Sequence, residues 1–182
     1  MKEPAVRYGE ILYDLAAEEA LTERVLQELD MAAACIDAEP QYLKLLTTPN
    51  VPLKERCALL DEAFGAAVHP YVVNFLKVLC QEGLLRDLHT TQRAYRTRYN
   101  ADNGIVEVRA VSAIALSEHN QRRLCEKLAA MTGKKIALTT RVDPTVLGGL
   151  RLDLDDMRLD GTVQHRLEAL RKTLTAEVSE PN

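Results

Sequence analysis

The sequence predicts a mainly α protein: an N-terminal six-helix bundle followed by a small C-terminal α/β domain. Three observations carry this prediction. Up to about residue 103, apolar residues recur at helical spacing between proline and glycine stop signals. Asn103-Gly104 then breaks the pattern. Beyond it, short runs rich in β-branched residues replace the helical period. The expected domains are therefore residues 1–104 and 105–182.

The first helix is expected over Ala5 to Glu18. Thr22 can cap a second, with Glu23 in its first turn and Val25, Leu29, Ala32 and Ile36 on one stripe. Pro40 starts a short third helix that Pro49 ends. Pro52 starts a fourth, striped by Leu53, Cys57, Leu60 and Phe64. Pro70 opens a fifth and Gly83 closes it, the asymmetry expected of helix ends. A sixth runs from about Leu84 to Asp102. After Gly104, the run Ile105 to Val111 reads as a strand, and Ser117 can cap a helix ending near Gly133. Ile136 to Val142, Leu147 to Leu154 and Met157 to Leu159 are strand-like, separated by Asp143-Pro144 and Asp155-Asp156. A last helix follows Asp160-Gly161, with Val163, Leu167, Leu170 and Leu174 on one side.

Composition narrows the function. The 23 basic and 27 acidic residues argue against a general nucleic-acid binder, whose phosphate contacts need a basic excess. No Trp and only two Phe leave little for an aromatic-walled small-molecule pocket, and no cofactor is expected. Cys35, Cys57, Cys80 and Cys125 lack C-x-x-C spacing and sit in apolar periodic runs, so they read as buried thiols in a reducing compartment. Arg7, Glu10 and Asp14 interrupt any signal-like stretch at the start. The longest run free of formal charge, Ala63 to Leu76, is too short to span a membrane. A cytosolic or membrane-peripheral protein is expected.

Two helices carry more apolar surface than a bundle requires. On the first, Ala5, Val6, Tyr8, Ile11, Leu12, Tyr13, Leu15, Ala16 and Ala17 cover roughly 240° of the helix, at about 100° per residue. On the fifth, Tyr71, Val72, Val73, Phe75, Leu76, Val78, Leu79 and Cys80 cover nearly as much. Central positions for both helices would bury the excess within the bundle. Alternatively, each leaves part of its face open and the two form a groove for an incoming amphipathic helix. A bundle this small has little room for two enclosed helices, so the groove is preferred.

Other motifs reduce to structure. Gly133-Lys134-Lys135 lacks the remaining residues of a phosphate loop and reads as a helix C-cap with a solvated basic pair. Asp153, Asp155, Asp156 and Asp160 fail the calcium-loop pattern at Met157, and a hairpin turn at Asp155-Asp156 accounts for them, so no metal is expected. Gly148-Gly149 reads as close backbone approach or a bulge. His69, His89, His119 and His165 are scattered without a nucleophile motif, so no catalytic residue is assigned. Arg86, Arg93, Arg96 and Arg98 with Tyr95 and Tyr99 form the one basic aromatic stretch, read as a solvated face carrying two core tyrosines.

Several stretches resemble the delta subunit of bacterial F-type ATP synthase and its mitochondrial counterpart, the oligomycin sensitivity conferral protein. They are Val111-Ser112-Ala113 with Leu116-Ser117-Glu118, and Thr132-Gly133-Lys134-Lys135. The longest is Val142-Asp143-Pro144-Thr145-Val146-Leu147-Gly148-Gly149, followed by Leu159-Asp160-Gly161-Thr162-Val163, Arg166-Leu167 and Leu170. In the first half, Tyr8, Asn74-Phe75-Leu76, Glu82-Gly83 and Leu88 also fit. The likeness spans almost the entire chain. It departs where Thr162 stands for a usual Ser, Gln164 for a usual basic residue and His165 for a commonly small one.

The resemblance implies a non-catalytic stator subunit that resists rotary torque during proton-driven ATP synthesis. The helical domain would bind N-terminal helices of alpha subunits on the catalytic head. The tail domain would hold the b subunits of the peripheral stalk, at the cytoplasmic face of the bacterial inner membrane. By the same resemblance the alpha-binding groove lies between the first and fifth helices. Tyr8, Ile11 and Val78 are its expected contacts, with Leu12, Leu15 and Phe75 as further candidates. The competing reading is a helical protein- or nucleic-acid-binding adaptor outside ATP synthase, working through the sixth helix.

Overall fold

A computed structural model of the chain describes residues 3–146, 149–154 and 157–160. The readings for Leu147, Gly148, the Asp155-Asp156 turn, Gln164, His165 and the final helix through Leu174 fall outside those residues. The described chain is mainly helical with one small sheet, and it divides into two compact units at Tyr99/Asn100.

The first unit holds α1 (Pro4–Glu18), α2 (Thr22–Ala38), α3 (Pro40–Thr47), α4 (Leu53–Phe64), α5 (Pro70–Gln81), a 3-10 turn (Leu85–Asp87) and most of α6 (Leu88–Asp102). Prolines occupy the first helical position of α1, α3 and α5, where the missing N–H would be unpaired in any case. All six helices contribute to one apolar core, including Leu12, Leu29, Leu46, Leu60, Leu76 and Tyr95. Those aliphatic stripes are why the segments fold: burying each Leu or Val contributes roughly 1.5–3 kcal/mol against the cost of chain ordering.

Three helix ends differ from the sequence reading. Thr22 is the first helical residue of α2 and does not cap it with its side chain; its carbonyl instead accepts the Tyr95 hydroxyl at 2.9 Å. Before it, Ala20 adopts φ +56°, a left-handed turn that lets Leu21 N–H donate to Ala16 O. The expected single sixth helix is interrupted, because Gly83 at φ +72° turns the chain and the 3-10 turn intervenes before α6.

The cysteines require a correction. All four are free, but only Cys80 is buried; Cys57 and Cys125 are half-buried and Cys35 is exposed. Cys35 falls off the α2 stripe set by Val25, Leu29, Ala32 and Ile36, so an apolar neighbourhood in sequence did not become burial.

Polar contacts tie α6 to its neighbours. Asp30 on α2 accepts from Gln92 at 2.5 Å and pairs with Arg96, while His89 lies 3.0 Å from Asp37. Arg98 reaches Asp14 of α1 at 3.0 Å and stacks over the Tyr13 ring. Tyr13 in turn meets Tyr95 edge-on, with centroids 5.3 Å apart. The closest approach of α1 and α6 is at Gly9, where an added Cβ would lie 2.9 Å from Ala94 Cβ and would collide with the Thr91 carbonyl.

The second unit carries β1 (Ile105–Ser112), α7 (Glu118–Thr132), β2 (Lys135–Val142), β3 (Leu150–Leu154) and β4 (Met157–Asp160), in sheet order β2-β1-β3-β4. β1 and β2 are parallel, joined by the α7 crossover, while β3 pairs antiparallel with β1 and β4 antiparallel with β3. Ser117 caps α7 by accepting Asn120 N–H, and Gly133 ends it at φ +66°. After β2, the Asp143 carboxylate accepts from the Thr145 N–H and hydroxyl, folding a turn that buries Val146. Those two hydrogen bonds hold the Asp143 carboxyl below its ordinary value.

Gly9→Val should be destabilised by about 1–3 kcal/mol, since the branched side chain must push α6 away from α1. Urea denaturation followed by circular dichroism would measure it.

Candidate docking surface on the helical unit

The packing of α1 is set from one side. Ala5, Gly9, Leu12, Tyr13 and Ala16 are buried and define the core face. α6 covers one flank through Gly9, Tyr13 and Asp14. At about 100° per residue, Tyr8, Ile11 and Leu15 fall on the opposite flank. Ile11 is 52% and Leu15 46% exposed, while Tyr8 is half-buried against the core.

α5 repeats the arrangement. Val72, Val73, Phe75, Leu76, Leu79 and Cys80 are buried. Lys77 pairs with Asp61, so α4 covers that flank. Val78, 39% exposed, and the half-buried Tyr71 fall on the other, seven residues apart on one stripe. α1 and α5 pack against each other. α6 thus covers α1, and α4 covers α5, on flanks away from these apolar positions.

The sequence-predicted positions therefore separate. Ile11, Leu15 and Val78 are open, and Tyr8 is partly so. Leu12 at 2% and Phe75 at 8% exposure belong to the core and offer no free surface. The surplus on α5 is mostly enclosed by the bundle's own side chains, and only Val78 stands well out. α1 is the helix that remains open. Met31, Leu45 and Leu53 are also exposed, but each is the one exposed large apolar residue of its helix, which is ordinary for a soluble surface. Ile11 and Leu15 differ in stacking one turn apart. Tyr71 was not singled out from sequence, although its seven-residue spacing from Val78 carried the signal.

On the basic stretch of α6, Arg93 is exposed while the other members are engaged by the bundle. Tyr95 is fully buried and Tyr99 packs against the core, so neither ring is free for base stacking. Arg96 and Arg98 are engaged by Asp30 and Asp14. His69 caps α5 by accepting Tyr71 N–H at 3.3 Å, and Glu28 accepts the His69 N–H at 2.5 Å. Among the described residues, no three His, Cys, Asp or Glu side chains come together in a metal-holding group.

Burial raises the Tyr95 phenol well above its ordinary value of 10.0. The folded state therefore disfavours the phenolate, and the stability this contributes is complete below pH 10 and declines as pH rises further.

Comparison with known proteins follows the same organisation. A sequence profile of the family described as "ATP synthase delta (OSCP) subunit" matches residues 5–174. The chain is 31% identical to ATP synthase subunit delta of Desulfitobacterium hafniense (strain DSM 10664 / DCB-2) over 171 residues, covering 94% of this chain and 96% of the relative. It is 31% identical to the subunit of the same name from Clostridioides difficile (strain 630) over 176 residues, covering 96% and 97%. Its fold is similar to a chain in the Toxoplasma gondii mitochondrial ATP synthase hexamer, with TM-score 0.79 and 16% identity over the whole of both chains.

Tyr95→Phe should lose roughly 1 kcal/mol at neutral pH, from the lost bond to Thr22 O. Its stability should also fall less steeply than that of the parent above pH 10. Chemical denaturation at pH 7 and at alkaline pH would test both.

Proposed function

The chain belongs to the ATP synthase delta (OSCP) subunit family, and from that membership we propose how its two units divide the work. It is a non-catalytic stator subunit of F-type ATP synthase, linking the catalytic head to the peripheral stalk against rotary torque. Rotation can drive chemistry at the head only while the head is held still. A connector with this task needs firm attachment at both ends and no reaction of its own.

The head-binding end is the helical unit, residues 1–104, packed as a six-helix bundle. Its α1/α5 junction receives the N-terminal helix of an alpha subunit. Ile11, Leu15 and Val78 supply the open apolar contacts, with Tyr8 at their edge; Leu12 and Phe75 support the surface from beneath. The observation that carries this reading is the exposed Ile11 and Leu15 stacked one turn apart on α1, which packs against the helix carrying exposed Val78. Burying them against an apolar helix face contributes roughly 25 cal/mol per Å², before association costs are subtracted.

The stalk-binding end is the α/β unit, residues 105–182, which holds the b subunits. Among the described residues no helix is long and apolar enough to cross a membrane. Attachment at the cytoplasmic face of the bacterial inner membrane is then indirect, through the assembled complex.

A peptide from the N-terminus of the alpha subunit should bind the full chain. Ile11→Asp and Val78→Asp should each weaken that binding about tenfold or more while leaving the circular dichroism spectrum unchanged. Leu12→Asp should unfold the helical unit instead. Calorimetric titration would decide. Peptide that fails to associate at high micromolar concentration, or binds both folded variants as it does the parent, overturns the α1/α5 reading.

A further inference from the structure

Across α5 from Val78 lies a second feature. Cys80 is two residues on, so it faces roughly 160° away from Val78 around the helix. There it forms part of the wall of a cavity of about 380 Å³, together with Leu46, Thr47, Arg56, Leu85 and Arg86. That volume is within the range of small-molecule sites.

The cavity holds two guanidinium groups and no acid. Arg56 is fixed by its own bonds: Nε donates to Val51 O at 3.1 Å and Nη1 to Leu46 O at 3.1 Å. Nη1 also lies 3.8 Å from Cys80 Sγ. Among the described residues, its hydrogen bonds use Nε and Nη1 and leave Nη2 over. Arg86 extends from the 3-10 turn, and its Nη2 lies 3.5 Å from Thr47 Oγ1. None of the residues lining the cavity is acidic, and neither arginine has a carboxylate partner among the described residues. Elsewhere in the described chain Arg24, Arg96, Arg98, Arg122 and Arg151 each pair with a carboxylate. The apolar wall that reaches solvent is the exposed Pro49 ring beside Gly83, with Leu46 and Leu85 buried behind it. Burial raises the Cys80 thiol above its ordinary value, so the floor is neutral.

Guanidinium N–H donors and positive charge with no facing carboxylate are the chemistry that recognises an oxyanion, whereas the Thr47 hydroxyl is committed to Leu43 O and serves to receive Arg86. The apolar wall adds a preference for an anion with a carbon body. We propose that this cavity binds a small organic anion, its phosphate or carboxylate held between Arg56 and Arg86 and its apolar part against the exposed Pro49 ring. Arg56, whose bonds to two main-chain carbonyls join the end of α3 to the start of α4, is the fixed half of the site. Arg86, exposed and loosely held, is the half that closes on the ligand.

The cavity is remote from the α1/α5 strips, so this proposal and the docking proposal fail independently. The test uses the isotopically labelled full chain with two probes, inorganic phosphate and phenyl phosphate, followed by amide NMR at Thr47, Gly83 and Arg86. Phenyl phosphate should bind more tightly than inorganic phosphate, because only it reaches the apolar wall. Arg86→Gln should weaken it by about tenfold, and Arg86→Lys by less, with the remaining spectrum unchanged. Absence of any shift at about 10 mM of either probe overturns the proposal. So does binding that Arg86→Gln leaves intact, or equal binding of the two probes. Benzoate in place of phenyl phosphate then tells a carboxylate from a phosphate site, tighter binding naming the group preferred.

Discussion

The rotation of α1 about its own axis decides the rest. Gly9 allows the α6 backbone at Thr91 to come closer than any side chain would permit, and Tyr13 seats its ring against Tyr95. Once those contacts form, Leu12 and Ala16 must point inward, and Ile11 and Leu15 must remain outside. The open strip is therefore not an unfinished core. It is the remainder after α6 has taken one flank and the core another.

Polar contacts between α6 and the helices beside it act in a different way. Exposed ion pairs such as Arg98–Asp14 and Arg96–Asp30 each contribute about 0–1 kcal/mol, far less than the apolar core. Their use lies in alignment. Asp30 engages both Gln92 and Arg96, one turn apart, and Asp37 meets His89 further along the same face. Sliding α6 along α2 by half a turn would break all three contacts together, so they oppose small displacements even where the aliphatic surfaces are permissive.

Most of the architecture was legible because helix punctuation is local. Pro40, Pro52, Pro70 and Gly83 act through their own backbone geometry, and Ser117 and Gly133 bracket α7 as their chemistry requires. What sequence could not supply was which side of a wide apolar arc would be covered. The arcs on α1 and α5 look alike in sequence, yet α5 buries almost all of its surplus while α1 keeps two large side chains in solvent. That difference arises from tertiary neighbours far away in the chain. The same is true of Cys35, whose apolar neighbourhood says nothing of its facing outward, and of Thr22, whose partner Tyr95 is 73 residues distant. The α3–α4 cavity was invisible because its two arginines are 30 positions apart and belong to no motif.

The contact between Arg98 and Asp14 spans 84 residues, closing the last helix of the first unit back onto its first. During synthesis, then, α1 is exposed on the nascent chain without its α6 cover until nearly a hundred residues have been translated. The flank that α6 will cover, at Gly9 and Tyr13, is open to chaperones in that interval. Only when α6 emerges is the outward apolar surface of the helix reduced to a single stripe.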